Sequence, residues 1–335
     1  VTPRRRAGPL AATTLVLVIG TACSNTAPSI LRAHSSDSRK VESLWWLTLV
    51  VSVIVVLFVI AFILAAVRRG WSTPPDAPVD KSPVRWGPSF IVIAGLVVSG
   101  GILGTIFGIS LKTLDALASS PKPVVSIDVI GHDWWWEARY PNGVVTANEI
   151  HIPAGQPVEV KLSTTDVIHS FWVPELNVKK DQIPGQDNRL SLLADRPGRY
   201  RGQCAEFCGL EHARMAFFVD ADPPAQFDQW LAAQAVPARD PSTPSASTGR
   251  DVFLRSSCAG CHTVRGTAAA GTFGPDLTHV ASRATIGAGV LPFTPGSLGD
   301  FILDAQHAKP GASMPPTEIS PQELSAVVDY LTGLQ

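Results

Sequence analysis

Two uninterrupted apolar runs limit this chain more than any other feature. Residues 43–67 and 86–111 pass without a single charge, and each run is longer than the roughly 20 residues a helix needs to cross the hydrocarbon core of a bilayer. A core helix of a soluble protein is rarely that long without a charge. Trp45, Trp46, Trp71 and Trp86 mark the ends of the runs, as interfacial tryptophans do. The joining segment carries Arg68, Arg69, Lys81 and Arg85, so the positive-inside rule puts it in the cytoplasm and everything after Lys112 outside. The second run spaces Gly100, Gly104 and Gly108 every four residues, a face of small residues suited to close helix packing. Such a hairpin is expected to dock on a larger membrane partner. Neither run holds an ionisable residue, so this chain alone offers no proton path across a membrane.

Ahead of the hairpin, Arg4, Arg5 and Arg6 precede a short apolar run over 10–19 and then Gly20, Thr21, Ala22 and Cys23. This is the pattern of an export signal over residues 1–22. A cysteine after small residues also resembles a bacterial lipoprotein cleavage site, which makes Cys23 a candidate for lipidation; Gly20 stands where that pattern prefers Leu or Val. Charged residues form 16% of the 335 and the net charge is −1, so no basic surface is available to grip nucleic acid. Five cysteines in this length are too few for a disulfide scaffold.

From Lys122 to Asp222 the texture changes to short β-branched and aromatic segments broken by Pro, Gly and Asn. Segments 124–130, 144–152, 157–164, 188–193 and 216–219 read as strands, which argues for a β-sandwich or barrel over 122–222. Residues 236–248 contain Pro237, Pro241 and Pro244 among Ser and Thr, the composition of an extended linker. Residues 249–335 form a last small domain with helical signals at both ends, and Ser320-Pro321-Gln322-Glu323 opens its final helix. Phe253 and Tyr330 are expected to pack where its first and last helices cross.

The β-region ends in Cys204-Ala205-Glu206-Phe207-Cys208-Gly209-Leu210-Glu211-His212-Ala213-Arg214-Met215. Two thiolates, an imidazole and a thioether within twelve residues make a soft donor set that favours copper over hard cations. A mononuclear blue-copper site needs a second histidine, for which His169 is the candidate. The second cysteine allows another outcome, in which two bridging thiolates hold two coppers that share one electron. A Cys204–Cys208 disulfide, a structural zinc and a copper-chaperone thioredoxin fold are the competing readings.

In the last domain, Cys258-Ala259-Gly260-Cys261-His262 is a c-type haem attachment motif. The two thiols would form thioethers and His262 would bind the iron. A thioredoxin-like pair is the alternative, disfavoured by the adjacent histidine and the exported location. Met314, in Ala312-Ser313-Met314-Pro315-Pro316, is expected as sixth ligand, with His279 and His307 as competitors. Met/His ligation raises the potential, which suits an electron carrier.

The cysteine motif, the segment from Asp166 to His169, the turn Asp181-Gln182-Ile183-Pro184-Gly185 and the stretch Arg196-Pro197-Gly198 resemble cytochrome c oxidase subunit II over about residues 40 to 222. The last domain resembles class I cytochromes c. The resemblance implies a multidomain membrane protein: a two-helix transmembrane hairpin, an all-β cupredoxin-like barrel and a C-terminal all-α cytochrome c domain. It implies a dinuclear CuA centre, with Cys204 and Cys208 bridging both coppers, His169 and Met215 on one, and His212 with the Glu206 carbonyl on the other. The Glu206 carboxylate would serve a Mg²⁺ ion at the boundary with subunit I. Trp134, in His132-Asp133-Trp134-Trp135-Trp136, aligns with the family's electron-input tryptophan; the alternative is that three tryptophans merely pack the barrel. The family often has a Glu three residues before the tryptophan that opens the second helix. Here Pro83-Val84-Arg85 precede Trp86, leaving Asp76 or Asp80 as substitutes.

The function implied is the subunit of a caa3-type oxidase of the respiratory chain through which electrons enter, passing from haem c to CuA and on to an oxygen-reducing site in subunit I. A c-type or membrane cytochrome would be the donor, and the bacterial cell membrane the location. A CuA subunit of a nitric oxide reductase and a membrane-tethered copper-assembly protein are the alternatives.

Overall fold

The computed structural model describes residues 27–71, 87–118 and 121–335. The export signal, Cys23, Asp76, Asp80 and Trp86 lie outside the described residues. The first apolar run forms helix α1 (Ser36–Trp71), with Asp37 in its first turn and Arg68 and Arg69 in its last, charges that complement the helix dipole. The helix therefore outruns the uncharged stretch at both ends. The second run forms α2 (Gly87–Val92), a π-helical turn (Ile93–Val98) and α3 (Ser99–Ala118). Both spans are long and apolar enough to cross a membrane, and neither is buried within the chain. They meet through a stacked pair, Phe62 and Phe90, at 5.7 Å. A Cβ on Gly100, Gly104 or Gly108 would meet nothing within 4 Å, so the glycine face is not used between these two helices.

The start of α1 is pinned to the β-domain. The backbone N–H of His34 donates to the Glu175 carbonyl at 2.8 Å and Asp195 N–H to the His34 carbonyl at 2.9 Å. Arg32 adds an ion pair with Glu175 at 3.0 Å.

The β-domain is two five-stranded sheets. The first contains β1 (Val125–His132), β2 (Trp135–Arg139), β3 (Val145–Ala147), β5 (Val158–Thr164) and β8 (Asn188–Leu192), in the order β3-β2-β1-β5-β8. The second contains β4 (Glu149–Pro153), β6 (His169–Trp172), β7 (Lys180–Gln182), β9 (Gly198–Cys204) and β10 (Ala216–Asp222), in the order β4-β10-β9-β6-β7. Alternation buries one face of each strand: Ile127 and Val129 from β1, Val158, Val160 and Leu162 from β5. Trp136, Phe171 and Phe217 fill the centre, with Phe171 and Phe217 stacked at 4.5 Å.

The single strand expected over 144–152 is two strands in different sheets. The break is Asn148, at φ 62, whose side-chain oxygen accepts the Trp136 N–H at 2.9 Å. An asparagine that tolerates the left-handed region and bonds its neighbour turns the corner between layers. Helix α4 (Pro224–Gln234) then covers one end, where Trp230 stacks on His151 at 4.0 Å.

The last domain holds α5 (Pro244–Arg255), α6 (Cys258–Cys261), the hairpin β11 (Thr285–Ile286) and β12 (Leu291–Pro292), α7 (Pro295–Leu303), α8 (Ala305–Ala308) and α9 (Pro321–Thr332). Ser320 caps α9 in a reciprocal capping box with Glu323. Phe253 and Tyr330 pack edge-on at 5.9 Å between α5 and α9, as the sequence led one to expect. The stretch 236–248 differs from a free tether. Thr243 caps a helix that already begins at Pro244, and Ala238 N–H donates to the Arg265 carbonyl at 2.9 Å. Pro at the first turn starts the helix earlier than the linker-like composition implied.

Candidate functional site

Strand β6 delivers His169, and its pairing with β9 sets Phe171 opposite Cys204. After Cys204 the chain loops back through Cys208 and a 3₁₀ turn at His212–Arg214 before Met215 leads into β10. The reversal turns on Gly209 at φ 116, a conformation that favours glycine. A side chain there would also stand 3.1 Å from the Trp134 ring.

This path brings the six expected donor groups together. The Cys204 and Cys208 sulfurs lie 3.7 Å apart, far beyond the roughly 2.05 Å of a disulfide. His169 Nδ1 is 4.0 Å from the Cys204 sulfur, and His212 Nδ1 is 3.6 Å from that of Cys208. The Met215 sulfur is 3.8 Å from Cys208, and the Glu206 carbonyl oxygen is 3.2 Å from Cys204. His169 and Met215 are wholly buried. The far side of the His169 ring is set by its environment: Nε2 lies 2.8 Å from the Asp166 carboxylate, which turns Nδ1 toward the sulfurs. Burial opposes a charge on His169, but Asp166 and the Cys204 thiol outweigh it and push its pKa up to about 9. The neighbouring Cys208 sulfur holds the Cys204 thiol well below its ordinary value, and Cys208 is pushed up in turn. A sulfur pair that favours the thiolate is what binding a soft cation requires. Two sulfurs, two imidazole nitrogens, a thioether and a carbonyl in one buried cluster fit copper better than zinc, which would leave Met215 idle.

The Glu206 carboxylate points elsewhere. It is half-exposed and paired with Lys179 at 3.2 Å, with Asp181 3.5 Å from the same lysine. One carboxylate beside a cation does not complete the octahedral oxygen shell of Mg²⁺ on this chain.

The three consecutive tryptophans part ways. Trp136 is core, and Trp135 stacks on His132 at 4.3 Å. Trp134 sits over the cysteine loop and donates its indole N–H to the Cys208 carbonyl at 2.9 Å.

In the last domain, His262 directly follows α6, and its Nδ1 lies 2.8 Å from the Pro275 carbonyl. Donation there fixes the tautomer and leaves Nε2 with its lone pair. Burial lowers the His262 pKa, favouring the neutral ring a metal requires. A Cβ on Gly274 would stand 2.6 Å from the imidazole, so the ring lies flush against bare backbone. Arg283 is half-buried and close enough to act on His262, and its buried Nε has no partner among the described residues; that orphan donor suits an acidic group of a haem. Cys258 and Cys261 are both free and half-buried. Met314 is half-buried, in a loop held by Gln306, whose amide donates to the Ala312 carbonyl at 2.6 Å and the Met314 carbonyl at 2.9 Å. Of its competitors, His279 bonds the Val236 carbonyl through Nε2 at 2.9 Å and leaves Nδ1 buried without a partner among the described residues, and His307 is exposed.

The two domains touch beside Trp134. Lys309, 4% exposed, donates to the carbonyls of Trp134, Arg214 and Gly287, the last two at 2.9 and 3.2 Å. Glu149, 3% exposed, accepts from the N–H groups of Ala284 and Thr285, each at 3.0 Å. Neither residue carries a motif in the sequence, so nothing there singles it out.

Residues 143–222 match the family described as cytochrome C oxidase subunit II, periplasmic domain, and residues 246–335 match cytochrome c. A cytochrome c oxidase subunit 2 from Alkalihalophilus pseudofirmus is 35% identical over 290 residues, covering 84% of this chain and 82% of that protein. One from Bacillus sp. strain PS3 is 30% identical over 275 residues, covering 76% and 74%. Among solved structures, the periplasmic domain of subunit II of cytochrome oxidase from Bradyrhizobium japonicum is 28% identical, with a TM-score of 0.34 over 35% of this chain and 96% of that one.

Proposed function

The chain belongs to the cytochrome c oxidase subunit II family, and we propose that its two exported domains form one relay in which electrons reach the haem domain first and the cysteine loop second. It is the subunit of a haem–copper terminal oxidase of the caa3 kind through which electrons enter. The complex is an oxidoreductase, and copper and haem c are its implied cofactors in this chain. The nitric oxide reductase and copper-assembly readings gain no support from the relatives, which are oxidase subunits.

The observation that carries the relay is the convergence of Cys204, Cys208, His169, His212, Met215 and the Glu206 carbonyl beneath the Trp134 indole. These residues would hold two coppers, and such a pair supplies one-electron chemistry with charge shared over both metals. The chain's own part is rigidity: Asp166 orients His169, and the barrel core around Phe171 and Phe217 keeps the ligand loop in place. In the other domain Cys258 and Cys261 would carry the haem, with His262 and Met314 on its iron. Trp134 would link the two sites. A magnesium at Glu206 would need most of its ligands from another subunit.

The protein is anchored by its two apolar helices with both redox domains outside. We place it in the bacterial cell membrane as a multi-pass subunit, bound to subunit I and other oxidase subunits, with lipid around the hairpin and a membrane or c-type cytochrome as donor. Phe207, 78% exposed on the ligand loop, is the surface offered to subunit I. Cys23 remains the proposed lipidation point, testable by the mass of the mature N-terminus.

The test is purification through this chain. Co-purification of a large haem–copper subunit, a copper signal with spin spread over two nuclei, and oxygen uptake with reduced cytochrome support the reading. A single isolated copper per chain would overturn the dinuclear assignment, and turnover of nitric oxide without oxygen uptake would overturn the oxidase.

A further inference from the structure

Lys309 is a buried ammonium whose hydrogen-bond partners among the described residues are all carbonyls. Its three donors are matched by three oxygens, two across the domain boundary on Trp134 and Arg214 and one on Gly287 of its own domain. A lysine in that position adds little net attraction, because the docked carbonyls only replace water it already had. Its effect is on wrong arrangements. A seating that buried the ammonium without these oxygens would leave its donors unmet at a large desolvation cost, and penalising alternatives is how one register is selected.

We propose that Lys309 is the positioning residue that registers the haem domain on the copper domain, setting the methionine-bearing loop against Trp134. The surrounding contacts fit this role. Lys309 is the C-cap of α8 and precedes the loop that Gln306 ties to Ala312 and Met314. Two residues on, a side chain at Gly311 would come 2.7 Å from Leu210 on the ligand loop and 3.8 Å from Trp134. The same face continues through the Ala216 N–H, which donates to the Ala288 carbonyl at 3.1 Å. A continuous bonded route results. It runs from the Met314 loop along the backbone to Lys309, by hydrogen bond to the Trp134 carbonyl, and from the Trp134 indole to the Cys208 carbonyl. Burial lowers the Lys309 pKa to about 8, with Glu211 and Cys208 opposing.

This inference rests on the electron relay proposed above, and the test separates the two. In the full-length complex, Lys309→Met should raise amide exchange at Ala216, Ala284 and Thr285 and slow one-electron transfer from flash-reduced haem to copper by about tenfold or more. The optical spectrum of the haem and the spin-resonance signal of the copper should stay as in the unmodified chain. Lys309→Arg keeps the charge but replaces three convergent hydrogens by a planar fork, and should give a smaller slowing of the same kind; it carries the test if the methionine variant fails to accumulate. Unchanged exchange together with an unchanged transfer rate would overturn the registering role. Absence of either metal signal from the unmodified chain would instead overturn the relay, while the exchange measurement would still report on Lys309.

Discussion

The Trp134 indole N–H donates to the carbonyl oxygen of Cys208 at 2.9 Å, so the ring at the domain boundary is bonded to the backbone of a proposed copper ligand. Trp134→Phe removes that donor and part of the ring but keeps the backbone carbonyl that Lys309 uses. Haem-to-copper transfer should fall about tenfold or more, since positioning losses of this size are common, while both metal spectra persist. Flash reduction of the haem followed by optical detection at the copper reads this directly. An unchanged rate would remove Trp134 from the route.

Cys208→Ser is expected to abolish the shared-spin copper signal and leave the barrel folded. The side chain is nearly buried and the change is almost isosteric, so the stability loss should be modest, about 1 kcal/mol. One bridging thiolate would be gone, and the hard hydroxyl oxygen would not replace it. Spin resonance at equal copper loading checks the first point and thermal melting the second. A retained two-copper spectrum would require a different ligand set.

Gly274→Ala probes the haem side. Its Cβ would press on the His262 ring at 2.6 Å, and the Pro275 carbonyl that fixes Nδ1 belongs to the next residue. The imidazole must tilt or that hydrogen bond must lengthen. The expected outcome is a haem spectrum with weakened axial ligation beside an unaltered copper signal. A normal haem spectrum would mean that the 271–275 segment does not cradle the ring.

Much of this site was legible because metal chemistry writes itself in short spacings. Cys204 to Met215 and Cys258 to His262 could be read as ligand sets without knowing where any strand lay. The hairpin was equally plain, since an apolar run of that length without a charge is the mark of a bilayer-spanning helix. Strands β2, β6, β7 and β9 were not seen: β6 and β7 are only four and three residues long, and β2 and β9 mix tryptophan, arginine and glycine without clean alternation. Asn148 split an apparently continuous strand through a backbone conformation that hydrophobic pattern does not encode. Lys309 and Glu149 were invisible for a different reason. A lone lysine or glutamate reads as surface until the opposing domain buries it, and interdomain burial leaves no periodicity in the sequence.

The docking face should respond to acid through Glu149. Its Oε1 accepts the Ala284 and Thr285 N–H groups and the Thr285 hydroxyl from the haem domain, and Arg199 donates to the same oxygen at 2.8 Å. Arg199 is shared with Asp220 at 3.0 Å, and Arg283 contributes a further positive charge nearby. Burial alone would raise the carboxyl pKa, but Arg199 and the hydrogen bonds outweigh it and hold it below its ordinary 4.5. The folded, docked chain therefore binds fewer protons at this group than the unfolded one, in which the carboxyl regains its ordinary affinity. The stability this group lends the folded, docked chain is fully present above the ordinary carboxylate range and is lost as pH falls through the lowered value. Protection of the Ala284 and Thr285 amides, corrected for intrinsic exchange, should thus drop on acidification from neutrality. Glu149→Gln keeps one accepting oxygen but loses the charge, so it should lower protection at neutral pH and flatten the acid response. A native chain whose protection is indifferent to pH across that range would show that the carboxylate does not help hold the domains together.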